Sequence, residues 1–336
     1  MLPREAMSNW KRFHELFSAA FIHEALGTAA ELEVAEAVSE SAEPFWEIAR
    51  KLDVDAGALY RLLRALAAHG IFEEVKDGKF RHNSFSRQLL KSHPYSFQGM
   101  AKLWHSPPIR RAWGSFASAI RDGQAAFVHG NGEPIYQYLE KNPDDARLFH
   151  EAMENNSAVV AQAIAAGFSF GDYGSVVDLG GGVGTLLAAI VKQHGIPGAV
   201  YDLPVVADAA RNYFGARGLG ATAKFIGGDW FESVPEGYGV YVVKNSLWNW
   251  TDEPCARILE NVARAMSPDS VFLIIEYLAN AKDAAWSTAF DLQQLNVTGG
   301  RGRTADEYER LVEQAGMRVT ASFQIENEQV LQCRKA

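Results

Sequence analysis

The run Val176-Val177-Asp178-Leu179-Gly180-Gly181-Gly182-Val183-Gly184-Thr185 constrains the fold of this chain more than any other stretch. β-Branched apolar residues lead into a glycine cluster, and Leu186–Val191 continues as an apolar helical run, which predicts strand, tight loop and helix. Glycine is needed where backbone turns sharply and lies directly against a ligand. Taken alone, the cluster also fits an ordinary glycine-rich turn between strand and helix. Two details narrow the reading. The spacing is Asp-x-Gly-x-Gly-x-Gly, and the dinucleotide fingerprint Gly-x-Gly-x-x-Gly/Ala is not met, because Thr185 stands at its last place. An acid, Asp202, ends the next apolar run, where a carboxylate can take both hydroxyls of a ribose. With no P-loop lysine present, the pattern favours an uncharged or cationic nucleoside over a polyphosphate.

The second half of the chain alternates strand and helix. Strands are predicted at Val176–Leu179, Gly198–Tyr201, Ala223–Ile226, Val240–Val243 and Val271–Glu276, with a closing pair at Arg318–Phe323 and Gln329–Gln332. This implies an α/β, Rossmann-like, mostly parallel sheet covered on both faces, with ligands at the carboxyl ends of its strands.

The first half reads as helical. Ser8–Ser39 has a 3.6-residue period, with Phe13, Phe17, Phe21, Ala25 and Leu32 available for one face. Asp53 or Asp55 caps a helix over Ala58–Leu66, Gly70 ends it, and Lys76-Asp77-Gly78 turns a hairpin. Helix, turn, helix, hairpin is a winged-helix pattern, read as a structural or dimerising module. From Ser106 to Phe168 helices are expected again, with Pro143 opening one and Gly123–Pro134 forming a glycine-bearing loop. The expected divisions are a winged-helix-like dimerisation domain over 1–105, linking helices that line a substrate pocket over 106–168, and a nucleoside-binding domain over 169–336.

A formal charge of -9 argues against a nucleic-acid backbone as partner, even with Arg61 and Arg64 on the second helix of the wing. Cys255 and Cys333 have no ligand spacing, the nine histidines have none either, and no metal is expected. The apolar stretch Phe17–Leu26 is broken by His23 and Glu24, too short for a membrane span, and Met1–Glu5 lacks a signal pattern. A soluble, cytoplasmic protein is the expectation.

Later strand ends supply further candidates. After the third strand, Gly227-Gly228-Asp229-Trp230-Phe231 offers Asp229 to accept from an adenine amino group and Trp230 as a flat π-surface; alone, it also fits a turn with a buried tryptophan. After the fourth comes Lys244-Asn245-Ser246-Leu247-Trp248-Asn249-Trp250, whose tryptophans, two residues apart, cannot share one helical face and so do different jobs.

These stations, in this order and with Ile-Ile-Glu and Gly-Gly-Arg-Gly-Arg-Thr after them, resemble the S-adenosylmethionine-dependent small-molecule O-methyltransferases of the caffeate and hydroxyindole type and their bacterial antibiotic-pathway relatives. The resemblance covers nearly the whole chain. It implies a homodimer acting on a small aromatic substrate, with Gly180, Gly182, Asp202, Leu203, Asp229, Trp230, Lys244 and Trp250 on the cofactor side. Met153 and Asn156, on the helix that lines the acceptor pocket in such enzymes, fall on the substrate side with Trp248, Asn249 and Asn296.

The chain also departs from that family. His-Asp-Trp, whose histidine is the general base, is here Trp248-Asn249-Trp250, and the glutamate that orients it is Gly302. Of the usual catalytic set Glu276 remains; His150, on the pocket helix, is a substitute candidate. Alignment at about 3–3.5 Å contributes roughly 7–11 kcal/mol to such a displacement. A general base adds only about 10²–10⁴-fold, or some 3–5 kcal/mol. Positioning is the larger effect, so loss of the histidine does not by itself abolish transfer. An acceptor needing little deprotonation is then favoured: an acidic phenol, a carboxylate or a ring nitrogen. A non-methylating, hydroxylase- or pericyclase-like enzyme of the same fold is the alternative, and a winged-helix regulator is a third reading that the net charge disfavours.

Overall fold

A computed structural model describes residues 4–279 and 284–336, which fall into two compact units. One comprises the chain up to Arg110 with Glu151–Asn156; the other comprises Arg111–His150 with Ser157–Ala336. The helix Pro143–Gly167 therefore contributes residues to each.

In the first unit Asp55 accepts from the Ala58 N–H and starts the helix Ala56–Ala68, while Asp53 closes the preceding helix, Phe45–Leu52, with φ 54°. Asp77 and Gly78 both take positive φ, as the two-residue hairpin turn requires. They join Glu73–Glu74 to Lys79–Arg81, and Glu43–Pro44 adds a third strand. Ile48, Leu59, Leu63, Leu66, Phe72 and Phe80 form the core between helices and hairpin.

The helix Arg4–Glu31 has the predicted period without the burial that usually accompanies it. Phe13, Phe17 and Phe21 are 60%, 66% and 70% exposed, and Trp10 and Leu16 extend the same apolar strip. A second expectation is corrected between Gly123 and Pro134, where the helix Ala126–Asn131 stands instead of a loop. Gly130 lies inside that helix because a Cβ there would come within 2.6 Å of the Arg111 carbonyl oxygen. Glycine marks a close backbone approach here, and the burial of Ala126 and Phe127 holds the helix in place.

The second unit is built on seven strands: β1 Val176–Leu179, β2 Gly198–Asp202, β3 Ala223–Gly227, β4 Val240–Lys244, β5 Val271–Glu276, β6 Met317–Ile325 and β7 Glu328–Lys335. Their order is β3-β2-β1-β4-β5-β7-β6, parallel through β5, with β7 antiparallel to both β5 and β6. Alternation sends Val177 and Leu179, with Tyr241, Val243, Phe272 and Ile274, against the helix Asp252–Ala265. Val176, Val200, Val242 and Leu273 point the other way, against the helix Thr185–His194. With both faces covered, the ends of the strands are where polar chemistry can be exposed. The register brings Gly180, Asp202, Gly228 and Lys244 to one edge. Among the described residues no helix is long and apolar enough to cross a membrane.

Candidate functional site

The glycine loop follows β1 as predicted. Gly180, Gly182 and Gly184 all take positive φ, at 67°, 58° and 91°, and Gly181 packs so closely on Asp178 that a Cβ would lie 2.6 Å from its carboxyl group. From the end of β2, Asp202 accepts the Gly182 N–H through Oδ2 at 2.8 Å and the Leu203 N–H through Oδ1 at 2.7 Å. Leu203 thus acts through its main chain. Each Asp202 oxygen spends one acceptor position on a main-chain N–H, Oδ2 on the glycine loop and Oδ1 on Leu203, and keeps another for a ligand hydroxyl. Burial raises the Asp202 pKa, and the two N–H groups oppose that shift.

Beneath the loop Asp178 is 2% exposed, with Oδ2 unpartnered. Burial pushes its pKa up to about 7 against the pull of Lys244. Lys244 places its ammonium 4.0 Å from Glu328, both side chains almost fully enclosed. Its charge is therefore spent among buried acids.

At the third strand end, Asp229 folds back to accept the Phe231 N–H through Oδ1 at 2.8 Å, and Asn261 holds the Trp230 carbonyl oxygen. The Trp230 ring covers the first glycine, within 3.1 Å of where a Gly180 Cβ would stand.

The turn Leu247–Asn249 begins beside this loop, with Ser246 Oγ 3.5 Å from the same Gly180 position. It is clamped from below at two points. Glu276, 1% exposed, accepts the Ser246 and Leu247 N–H groups through Oε1 at 3.0 and 2.9 Å, while Oε2 has no partner. Burial, with Glu328 nearby, pushes the Glu276 pKa up to about 8. Arg303, fully buried, donates to Asp252, to the Leu247 carbonyl and to the Trp250 carbonyl. The two tryptophans diverge as their spacing predicted. Trp248 stacks on Tyr277 and tilts against Phe290, with ring centroids at 5.8 and 4.7 Å; Trp250 stacks on Tyr136 and meets Phe231 edge-on. Asn249 Nδ2 donates to the Tyr136 hydroxyl at 3.1 Å.

His150 stands near the Asp202 charge, and burial lowers its pKa against that charge, which favours a neutral imidazole. Asn296 is fully enclosed with both amide atoms unpartnered. The Gly302 N–H donates at 2.5 Å to Oδ1 of Asp291, on the helix Ala284–Val297. Met153 and Asn156 belong to the other compact unit. Among the described residues no cluster of His, Cys, Asp or Glu could hold a metal ion.

Sequence reasoning missed three participants. Asp178 carries a signal of its own beyond the glycine spacing, an acid inside an otherwise apolar strand. Arg303 stood in the Gly-Arg-Gly-Arg-Thr run without a role, and Tyr136, in Ile-Tyr-Gln-Tyr, gave no signal at all.

A family model described as an O-methyltransferase domain matches residues 113–318, and one described as an O-methyltransferase dimerisation domain matches residues 14–92. The chain is 33% identical over 312 residues to the mitomycin biosynthesis 6-O-methyltransferase of Streptomyces lavendulae, covering 92% of this chain and 89% of that protein. The solved mitomycin 7-O-methyltransferase aligns with a TM-score of 0.91 at 32% identity, covering 99% of each chain. An O-methyltransferase of neocarzinostatin biosynthesis, solved with S-adenosylmethionine and 2-hydroxy-5-methyl naphthoic acid, aligns with a TM-score of 0.79 at 30% identity, covering 94% of this chain and 96% of that one.

Proposed function

The chain belongs to the O-methyltransferase family, and from that premise we propose that it methylates an oxygen or nitrogen of an aromatic secondary metabolite, chiefly by positioning. S-adenosylmethionine, the methyl donor of the enzyme class, supplies a methyl group made electrophilic by its sulfonium. The residues present fit it. Asp202 keeps two acceptor positions for ribose hydroxyls, the positive-φ glycines bring bare backbone to the same edge, and Asp229 and Trp230 stand at the adjacent strand end. Gly180, Gly182, Asp202, Leu203, Asp229 and Trp230 would hold the nucleoside. Lys244 and Trp250 support that surface from within.

The observation that carries the positioning mechanism is the packing of Trp248. Its indole stacks on Tyr277 and packs against Phe290, which supports reading it as an aromatic wall for the acceptor where a base would otherwise stand. Glu276 is committed through Oε1 to the backbone of the turn and serves to position, while His150, kept neutral by burial, is the group left to take a proton. Met153, Asn156, Asn249 and Asn296 remain the substrate-side assignments. The exposed strip Trp10, Phe13, Leu16, Phe17 and Phe21, with the dimerisation domain that contains most of it, supports a homodimer.

Incubation with methyl-labelled S-adenosylmethionine and a panel of naphthols, anilines and ring-nitrogen heterocycles tests the reading. Label in the aromatic product together with S-adenosylhomocysteine is expected. Tight cofactor binding without label transfer, and a substrate gaining oxygen instead, would replace it with the non-methylating alternative that Trp248 and Gly302 suggest.

A further inference from the structure

The Asn249 amide is tied at one end only. Nδ2 donates to the Tyr136 hydroxyl, whereas Oδ1 has no partner among the described residues and the side chain is only half-buried. Tyr136 is held in turn by its ring, which stacks on Trp250 with centroids 6.0 Å apart and planes 22° apart, and meets Phe149 edge-on at 6.4 Å. A phenol can either donate to an amide or accept from one, so its own hydrogen decides which end of Asn249 it takes. Burial, with the Asp202 charge adding to it, raises the Tyr136 pKa and keeps the side chain a neutral phenol. With Nδ2 donating, the hydroxyl meets the amide through a lone pair and leaves Oδ1 out of the contact.

We propose that Tyr136 is a positioning residue that turns Asn249 Oδ1 outward as a hydrogen-bond acceptor, so that the site selects aromatic acceptors whose reacting oxygen or nitrogen carries a hydrogen. This rests on the methyl-transfer reading of the same site and narrows it. A neutral amide oxygen binds such a hydrogen without removing it, and thereby fixes where the lone pairs of the same atom point. Ring nitrogens without a hydrogen lose that contact and leave Oδ1 unpaired, a penalty that discriminates more sharply than an apolar wall does. The placement supports this role: Asn249 ends the turn that starts against Gly180, and Trp248 beside it provides the aromatic wall.

The test uses the full chain loaded with S-adenosylhomocysteine and titrated calorimetrically with 1-naphthol and 1-fluoronaphthalene, which are close in size and differ in having a hydrogen to donate. Wild type is expected to prefer the naphthol by about threefold to tenfold, the range of one net hydrogen bond. Tyr136→Phe keeps the ring and its stack but frees the amide to rotate, and should lose at least half of that preference. Asn249→Leu should abolish it. Adding Asn249→Asp to Tyr136→Phe should restore it, because a carboxylate accepts through either oxygen. A preference that persists in Asn249→Leu, one untouched in Tyr136→Phe, or none in wild type would overturn the proposal. Wild-type preference without any methylated product from S-adenosylmethionine would instead sink the methyl-transfer reading and leave the orienting role of Tyr136 standing.

Discussion

Asp202 and Gly182, twenty residues apart in the chain, are joined by a 2.8 Å hydrogen bond from the glycine N–H to Oδ2. The bond fixes the glycine loop to the neighbouring strand before any ligand arrives, so one carboxylate both shapes the cradle and faces its occupant. Asp202→Asn keeps the size but removes the charge, and its amide nitrogen cannot accept. Loss of charge-assisted contacts costs on the order of 1.5–3 kcal/mol. Calorimetry with S-adenosylhomocysteine should show affinity falling about tenfold to a hundredfold.

Gly181 and Gly182 should fail for different reasons. Gly181→Ala drives a methyl group into the Asp178 carboxyl, an overpacking that costs about 1–3 kcal/mol. Gly182→Ala meets nothing within 4 Å but holds φ at 58°, a conformational cost of about 1–2 kcal/mol. Chemical denaturation should show both destabilised. Only the first should be partly relieved by Asp178→Ala in the same chain.

Arg303 ties two carbonyls of the Trp248 turn to Asp252. Because Asp252 is half exposed, its freed charge returns to water, and the cost of Arg303→Met comes from the carbonyls it leaves, on the order of 1–3 kcal/mol. The thermal midpoint should fall, and acceptor affinity should weaken more than cofactor affinity. Arg303→Lys should not restore either, since a single ammonium cannot span three acceptors held in a planar fork.

Glu276 makes stability depend on pH in an unusual direction. Burial raises its pKa from the usual 4.5 to about 8 in the folded chain, so between those values folding takes up a proton. The folded state then holds more protons than the unfolded one, and stability falls as pH rises through this window. Asp178, pushed to about 7, acts in the same sense. Thermal melts from pH 5 to 9 should show a falling midpoint, with a shallower slope in Glu276→Gln, whose Oε1 can still accept from Ser246 and Leu247. An equal slope in both proteins would mean that the carboxyl group is ionised in the fold.

Legibility followed the range of each interaction. All seven strands of the large sheet were readable because β-branched runs and their punctuation are local, and strand order then carried Gly180, Asp202 and Lys244 to one edge. The loop expected at Gly123–Pro134 failed because Gly130 answers to the distant Arg111 carbonyl and not to a local turn. The face expected of Phe13, Phe17 and Phe21 was real, but period alone does not say whether its own chain covers it.

The sequence by itself determined the alternation of elements, the glycine spacing, the acid at the second strand end and the tryptophan at position 248, since each is written in consecutive residues. Only the tertiary structure decided that Glu276 and Arg303 clamp a turn, that the two tryptophans part company, and that Tyr136 reaches Asn249 across 113 positions. Those roles depend on where a carbonyl, an N–H group or an aromatic face ends up after folding. Such groups belong to every residue alike, so no local pattern marks the few that become partners.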